Sequence, residues 1–594
     1  MNRFLKLLTS FLLAAVVGVS GSENAMYYEI NFIGLKDEAI LKSMFDVSDL
    51  VILQDRPPAT LNGLRYRASS DIPSLLRVLR AYGYYDATIT YELEIGKKGP
   101  QVSLLIHPGT QYSLGSYEIF HKDCTVPLEL PFCEPFTIET LGLQINKPFL
   151  AVNIVNAELA LLEELARIGY PLASIEKRRV IVDMQTKQTH AAACVNEGPF
   201  SKFGPLTIFG LKTVSPDYVL GKIAWNEGCP YTPDDVEETQ KRLLNSNLFS
   251  SVLISHDEKL DEMGELPMKM RLSEAKHKQV SVGAFYATVD GPGMNFNWTH
   301  RNLRGLGESI SISAEGSKRY IAGSATYKKP DFLMMDQTYR AVAELEREDI
   351  RAYHAFIYRA ANYLDKKLDN RRNLSFGFEL EHFNVSHSAS NGTYLLASLP
   401  VFARYTTADD QLNPTRGYTL VYQASPYQSL FYGNQRFFKQ RITTTFYIPV
   451  WKKWLVFAGR VQFGSIAGTK QKHIPLPALF LGGSEDDLRG YRYMTVSPLN
   501  EHRKPYGGRS AVFLTAETRI RFTETLGLVP FADFGTVTFD ELPTFNAKWF
   551  KSVGLGLRYF TFFGPLRFDV GFPLDRRQGV DPSFRIYASI GQTF

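Results

Sequence analysis

The stretch 479–493, LFLGGSEDDLRGYRY, gathers two adjacent glycines, three acids and two arginines. Arg489 carries a planar fork of N–H donors that matches a carboxylate bidentately. In a site shut off from bulk water such a charge must find a partner. Gly490 permits a tight backbone at the tip, and Tyr491 adds apolar contact. Two readings are open: a solvated loop in which Arg489 pairs locally with Asp486 or Asp487, or a brace whose acids lie elsewhere in the chain. Neither is catalysis. No Ser-His-Asp spacing, phosphate-cradling glycine loop or metal signature occurs, and His300, His382 and His502 fall in separate segments. The chain therefore reads as a non-enzyme with no cofactor. Its cysteines are Cys124, Cys133, Cys194 and Cys229. Four allow three connectivities, and Cys124 with Cys133, closing a short loop, is the expected disulfide. His121 beside Cys124 lacks the further ligands a metal site needs.

The elements around this stretch divide the chain in two. With 594 residues, several domains are expected, and 44% hydrophobic and 13% aromatic content excludes disorder. A formal charge of +5 from 66 basic and 61 acidic residues leaves no footprint for nucleic acid. At the N-terminus, MNRFLKLLTSFLLAAVVGVSGSENA has the basic, apolar and small-residue order of a signal peptide. No later run is long enough for a membrane helix.

Up to about residue 275 a helix-exit pattern occurs three times. DIPSLLRVLRAYGYYD has Leu75, Leu76 and Leu79 and an exit at Gly83-Tyr84. FLAVNIVNAELALLEELARIGYPLASI has Val155, Leu159, Leu162 and Ala166 at helical spacing and an exit at Gly169-Tyr170. YTPDDVEETQKRLLNSNLFSS has Thr232 as N-cap, Pro233 at the first helical position, Asp235 as its box partner and an exit at Asn247-Leu248. Exits 86 and 78 residues apart mark an internal repeat. The common plan is strand, helix, helix, strand, strand, which leaves a sheet edge open to strand addition.

After about residue 277 period-two alternation takes over. KSVGLGLRYF sets Val553, Leu555, Leu557 and Tyr559 against Ser552, Gly554, Gly556 and Arg558, and PLRFDVGFPL sets Leu566, Phe568, Val570 and Phe572 against Arg567, Asp569 and Gly571. An apolar face with aromatics near strand ends, such as Trp451 and Trp454, suits a lipid-facing wall around a polar lumen. Spanning strands take roughly 9 to 11 residues each, so sixteen fit the remaining length, as do fourteen or eighteen. The polar intervals at 406–417 and around residue 490 are expected as outer loops, which are the longer connections in such barrels.

Signal peptide, three repeats, alternating C-terminal half, LRGYRY and a following FADFG together resemble the Omp85 superfamily of outer membrane assembly factors, and within it the TamA-like branch, the outer membrane subunits of translocation and assembly modules. The resemblance covers the whole mature chain. It implies a signal peptide at 1–22, periplasmic α+β POTRA repeats of β-α-α-β-β plan at 23–108, 109–198 and 199–275, and an all-β, 16-stranded transmembrane β-barrel at 276–594. Leu488, Arg489, Gly490 and Tyr491 match the family's loop-six motif, with Leu where Val or Ile is usual. Phe531, Asp533 and Gly535 match its wall motif, and Glu517 resembles the acid on the neighbouring wall strand. Asp533 and Glu517 are then the expected partners of Arg489. The last strand, with Phe584, Ile586, Gly591 and the terminal aromatic Phe594, resembles the family's recognition signal and one side of a barrel seam. The implied function is insertion or secretion of β-barrel and autotransporter-like clients from the bacterial outer membrane, in contact with its lipid. The implied partners are unfolded outer membrane proteins and a TamB-like periplasmic protein anchored in the inner membrane. The alternative is a two-partner secretion transporter exporting one dedicated exoprotein, although that group generally has two repeats and a plug helix.

Overall fold

The computed structural model describes residues 26–594 apart from 97–98, 129–136, 288–290, 389–390, 432–434, 545, 563, 591 and 593–594. The expected signal peptide, Cys133, Gly591 and Phe594 lie outside the described residues. The chain divides into two compact units, and the division runs through the third repeat.

The first repeat runs through strand Glu29–Ile33, helices Glu38–Val47, Asp49–Ile52 and Leu61–Ala81, then strands Thr88–Gly96 and Gly99–His107. Its last strand sits in the middle of the sheet, parallel to the first and antiparallel to the second. The stripe Leu64, Leu75 and Leu79 of the long helix is fully buried with Val102 and Leu104 of that middle strand. The same strand order recurs in the sheets of the other two repeats. All three helix exits take the left-handed backbone that ends a helix: φ is 84° at Gly83, 97° at Gly169 and 57° at Asn247. Tyr84 N donates to Leu79 O and Tyr170 N to Leu165 O, both at 2.9 Å. Thr232 and Asp235 bond reciprocally as the helix cap, with Thr232 Oγ1 donating to Asp235 Oδ2 at 2.7 Å and accepting from Asp235 N at 3.3 Å.

Among the described residues of the second repeat one helix, Ala151–Arg167, is present, and turns occupy 138–142. That helix buries Ile154, Ala157, Leu161 and Leu165 and leaves Val155 and Leu159 exposed at 39% and 61%. Two apolar stripes compete on this helix; the one turned inward carries Glu158, whose carboxylate accepts from Arg178 Nε at 2.6 Å.

The disulfide also differs from the expected one. Cys124 bonds Cys194, not Cys133, with Cα atoms 5.2 Å apart, while Cys229 is a free, exposed thiol. Strand Ser113–His121 runs parallel to Gln188–Asn196 with Phe120 opposite Cys194, so the fold delivers Cys124 to a residue 70 positions away. A cross-link of that span restricts the unfolded chain strongly, by about 4 kcal/mol in the loop-entropy picture. Replacing Cys194 with serine is expected to lower the melting temperature of the repeat region, replacing Cys133 to leave it unchanged, and non-reducing peptide mapping to link 124 with 194.

At the end of strand Glu265–Glu274, the Glu274 carboxylate accepts from the backbone N–H of Lys212 (2.7 Å), Thr213 (2.9 Å) and Val214 (3.0 Å) and from Thr213 Oγ1 (2.7 Å). Burial raises its pKa, but these donors outweigh burial and hold it at about 2, below the ordinary 4.5. A folded-state pKa below the unfolded one adds stability that is complete above the unfolded value and disappears as pH falls from about 4.5 through about 2. Protection factors at residues 212–214, exchange rates divided into the intrinsic rate at each pH, should therefore fall across that window, and Glu274→Gln should show low protection at every pH.

Among the described residues the C-terminal sheet contains seventeen strand segments from Lys278–Ala287 to Arg585–Ile590, each antiparallel to the next along the chain except at one interruption. Gly392–Ser398 and Val401–Thr406 keep one register against both neighbours. They form one strand, interrupted where Pro400 has no N–H to give, and sixteen strand positions result. The two faces invert the pattern of a water-soluble sheet. Val553, Leu555, Leu557 and Tyr559 are 41–51% exposed, whereas Ser552 and Arg558, of the opposite parity, are 1% and 0% exposed. Because every strand reverses direction, connections alternate between two ends of the sheet. The connection 468–509 shares an end with 350–353 and 539–549; the connection 407–416 lies at the opposite end, with 452–454 and 522–525. The two polar intervals expected on one side are thus on opposite sides.

Candidate functional site

The connection 468–509 returns onto the polar face of the last strands of the sheet. Its approach, GGSEDD, is a built turn. Asp487 Oδ1 accepts from Gly483 N and Ser484 N at 2.8 Å each and from Leu488 N. Gly483 has φ 105°, and a Cβ there would strike the carbonyl of Arg492. Glu485 Oε2 lies 3.5 Å from Arg567 Nη2 and Asp486 Oδ1 3.9 Å from Arg460 Nη1, so these acids serve wall arginines. The local pairing of Arg489 with Asp486 or Asp487 does not form.

Arg489 instead enters the sheet's polar face and is 0% exposed. Its Nε and Nη2 donate to the two oxygens of Asp533 at 2.9 and 2.8 Å, and its backbone N donates to Asp533 Oδ2 at 3.1 Å. Nη1 donates to Glu517 Oε1 at 2.8 Å and to Asp569 Oδ2 at 3.0 Å. The guanidinium carbon lies 3.4 Å from the centroid of the Phe531 ring. Strands Ser510–Arg521, Leu526–Thr538 and Gly564–Pro573 each supply one carboxylate. Expected partners Glu517 and Asp533 are both present, and Asp569 completes the set.

The tip is held as tightly by backbone as by charge. Gly490 has φ 90°, and its N–H donates to Tyr587 Oη of strand Arg585–Ile590 at 2.9 Å. A Cβ on Gly490 would lie 3.0 Å from the Gly571 carbonyl group and from Pro573 N; a Cβ on Gly571 would lie 2.9 Å from Gly490 N. Leu488 is fully buried in an apolar cluster with Tyr491, Phe513 and Phe550. Tyr491 Oη donates to Lys551 O at 2.7 Å, accepts from Asp575 N at 3.2 Å, and its ring meets Phe550 edge-on at 5.5 Å. Gly535 leaves room for Phe513 on the adjacent strand, which would lie 2.5 Å from a Cβ there.

Around this clamp the polar face continues as an ion network. Asp569 also accepts from Arg567 Nε at 2.8 Å and from Arg558 Nη1, and Glu517 Oε2 accepts from Arg519 Nε at 3.1 Å. Desolvating so many charges is tolerable only because each carboxylate accepts from more than one donor. From sequence, Asp569, Arg558, Arg567, Arg519 and Tyr587 are assigned no part in this site, and Asp487 enters only as a local partner of Arg489. The usable signal was the polar parity of Arg567, Asp569 and Arg558, which put them on the face that receives Arg489. Of the terminal-strand residues, Phe584 is 50% exposed and Ile586 half-buried. No group of three or more His, Cys, Asp or Glu side chains fit to hold a metal occurs among the described residues. What the described residues build here is a clamp, one arginine held by three carboxylates from three strands.

Residues 302–594 match the Omp85 superfamily domain. The chain is 23% identical over 540 residues to the outer membrane protein assembly factor BamA of Nitratidesulfovibrio vulgaris, covering 86% of this chain and 66% of that protein. It is 22% identical over 578 residues to the protein of the same name from Neisseria meningitidis, covering 86% and 71%. Its fold matches the crystal structure of BamA from Haemophilus ducreyi lacking POTRA domains 1–3, with a TM-score of 0.67 at 17% identity over 80% of this chain and 99% of that one. The chain spans about two thirds of the length of these curated relatives.

Proposed function

We propose that the protein is an outer membrane assembly factor, not an enzyme, that inserts or secretes β-barrel and autotransporter-like clients together with a TamB-like periplasmic partner anchored in the inner membrane; the match of residues 302–594 to the Omp85 superfamily domain supports this reading. In this reading the sixteen strand positions close into a barrel across the outer membrane, its polar face lines the lumen, and repeats 23–108, 109–198 and 199–275 are POTRA domains in the periplasm. One observation carries it: the inverted sheet, apolar outside and ionic inside, braced by Arg489. In hydrocarbon an open edge leaves backbone groups unsatisfied, so closure or a client strand must cover it.

Strands Lys278–Ala287 and Arg585–Ile590 stand at the two ends of the sheet order. Each offers an edge on which a client strand can template, and the last has six residues among those described. Cysteine pairs joining these two strands should abolish client insertion while the barrel stays folded; undiminished insertion would remove the seam from the mechanism. Purification from membranes with mass spectrometry decides between the two secretion modes. A large β-rich periplasmic partner supports assembly, and a single secreted exoprotein supports two-partner secretion.

A further inference from the structure

The connection 407–416 lies at the end of the sheet opposite the Arg489 loop, and it extends well beyond its own hairpin. Asp409 accepts from Thr415 N at 2.9 Å, Arg416 N at 3.2 Å and Thr415 Oγ1 at 2.6 Å. Asp410 Oδ1 accepts from Leu412 N and Asn413 N at 2.7 Å each. These bonds present residues 412–414 as a fixed tip. The tip reaches strands remote from it in the sheet order. Arg519 Nη1 donates to Pro414 O at 3.3 Å. Beyond the last strand, Gln592 donates its backbone N to Leu412 O at 3.2 Å and its Nε2 to Asn413 Oδ1 at 3.0 Å, and its Oε1 accepts from Arg558 Nε at 2.9 Å.

Gln592 is out of step with its strand. Tyr587 is on the polar face, opposite Asp569, so simple alternation would turn residue 592 to the apolar face. Its side chain instead meets Arg558, which is 0% exposed. Arg558 donates to Asp569, and Asp569 also accepts from Arg489, which closes the series. A continuous set of polar contacts thus runs from Asn413 through Gln592, Arg558 and Asp569 to Arg489.

We propose that the 407–416 connection is a latch: through Asn413 and Gln592 it pins the C-terminal end of the last strand on the polar face, and through Arg558 it ties that end to the Arg489 brace. Freeing the last strand's edge for a client then requires this contact to break. The gating step rests on the assembly reading above; the pinning itself does not.

Both parts are tested on the full chain. In detergent micelles, Asn413→Ala should raise hydrogen exchange at 585–590 about fivefold, as expected for one lost hydrogen bond at a strand end. Unaltered exchange there overturns the latch. A chain carrying Asn413→Cys, Gln592→Cys and Cys229→Ser, reconstituted in liposomes and offered a urea-unfolded eight-stranded barrel, should insert it only when reduced. The control is Cys229→Ser alone under the same reductant. Equal insertion by oxidised and reduced protein overturns the gating step. If the wild-type chain inserts nothing, the assembly reading fails and the exchange result still decides the latch.

Discussion

Arg489→Ala is expected to leave a folded sheet in the membrane with its 468–509 connection undocked and client insertion lost. The substitution removes the one cation that Asp533, Glu517 and Asp569 share. Glu517 keeps Arg519, and Asp569 keeps Arg558 and Arg567. Asp533, 0% exposed, loses its bidentate partner. Stranding a buried charge in this way costs roughly 3–5 kcal/mol, and the loop carries that loss because the strands have their own ladders. Limited proteolysis between 479 and 493, compared with heat-modifiability on gels, separates the two: rapid cleavage of the loop with unchanged barrel mobility is the expected pair. Arg489→Lys should fall between, since an ammonium cannot clamp both oxygens of Asp533 while reaching two further acids. Asp533→Arg should match Arg489→Ala, because it sets two guanidinium groups against each other. Wild-type protease resistance in Arg489→Ala would show that the brace does not hold the loop.

How far this clamp could be foreseen depends on what each signal encodes. Arg489, Asp533 and Glu517 were recognisable because a motif fixes both residue type and order. Asp569 belongs to no motif quoted for the loop; its role follows from the loop returning across several strands at once, which strand parity alone does not specify. The same limit explains the 407–416 connection. Length and polarity suggested an outer loop, but the end at which a connection emerges is set by the number of strand reversals before it. The helix exits were legible because a left-handed residue leaves a local mark, Gly or Asn before an apolar residue. The disulfide was not, because a short cysteine spacing says less than the parallel pairing that brings residues 113–121 beside 188–196.

Gly490→Ala is expected to be nearly as damaging as Arg489→Ala while leaving every charge in place, and so separates geometry from electrostatics. The backbone at 490 has φ 90°, where an L side chain costs about 1–2 kcal/mol before any contact is counted. The added methyl would also meet backbone atoms of Gly571 and Pro573 at 3.0 Å. Neither is the movable end of a side chain; both belong to strand Gly564–Pro573, which is fixed by its pairing with Phe550–Thr561. Relief must therefore come from lifting the tip, which lengthens the Gly490 N–H bond to Tyr587 and draws Arg489 off its carboxylates. Gly571→Ala tests the same approach from the other side, at 2.9 Å from Gly490 N, without touching the loop sequence. If close packing of the two glycines sets the depth of Arg489, both alanine variants should show the proteolysis pattern of Arg489→Ala, and restoring charge elsewhere in the network should rescue neither. A Gly571→Ala protein with a protease-resistant loop would mean that the ion pairs alone hold the tip.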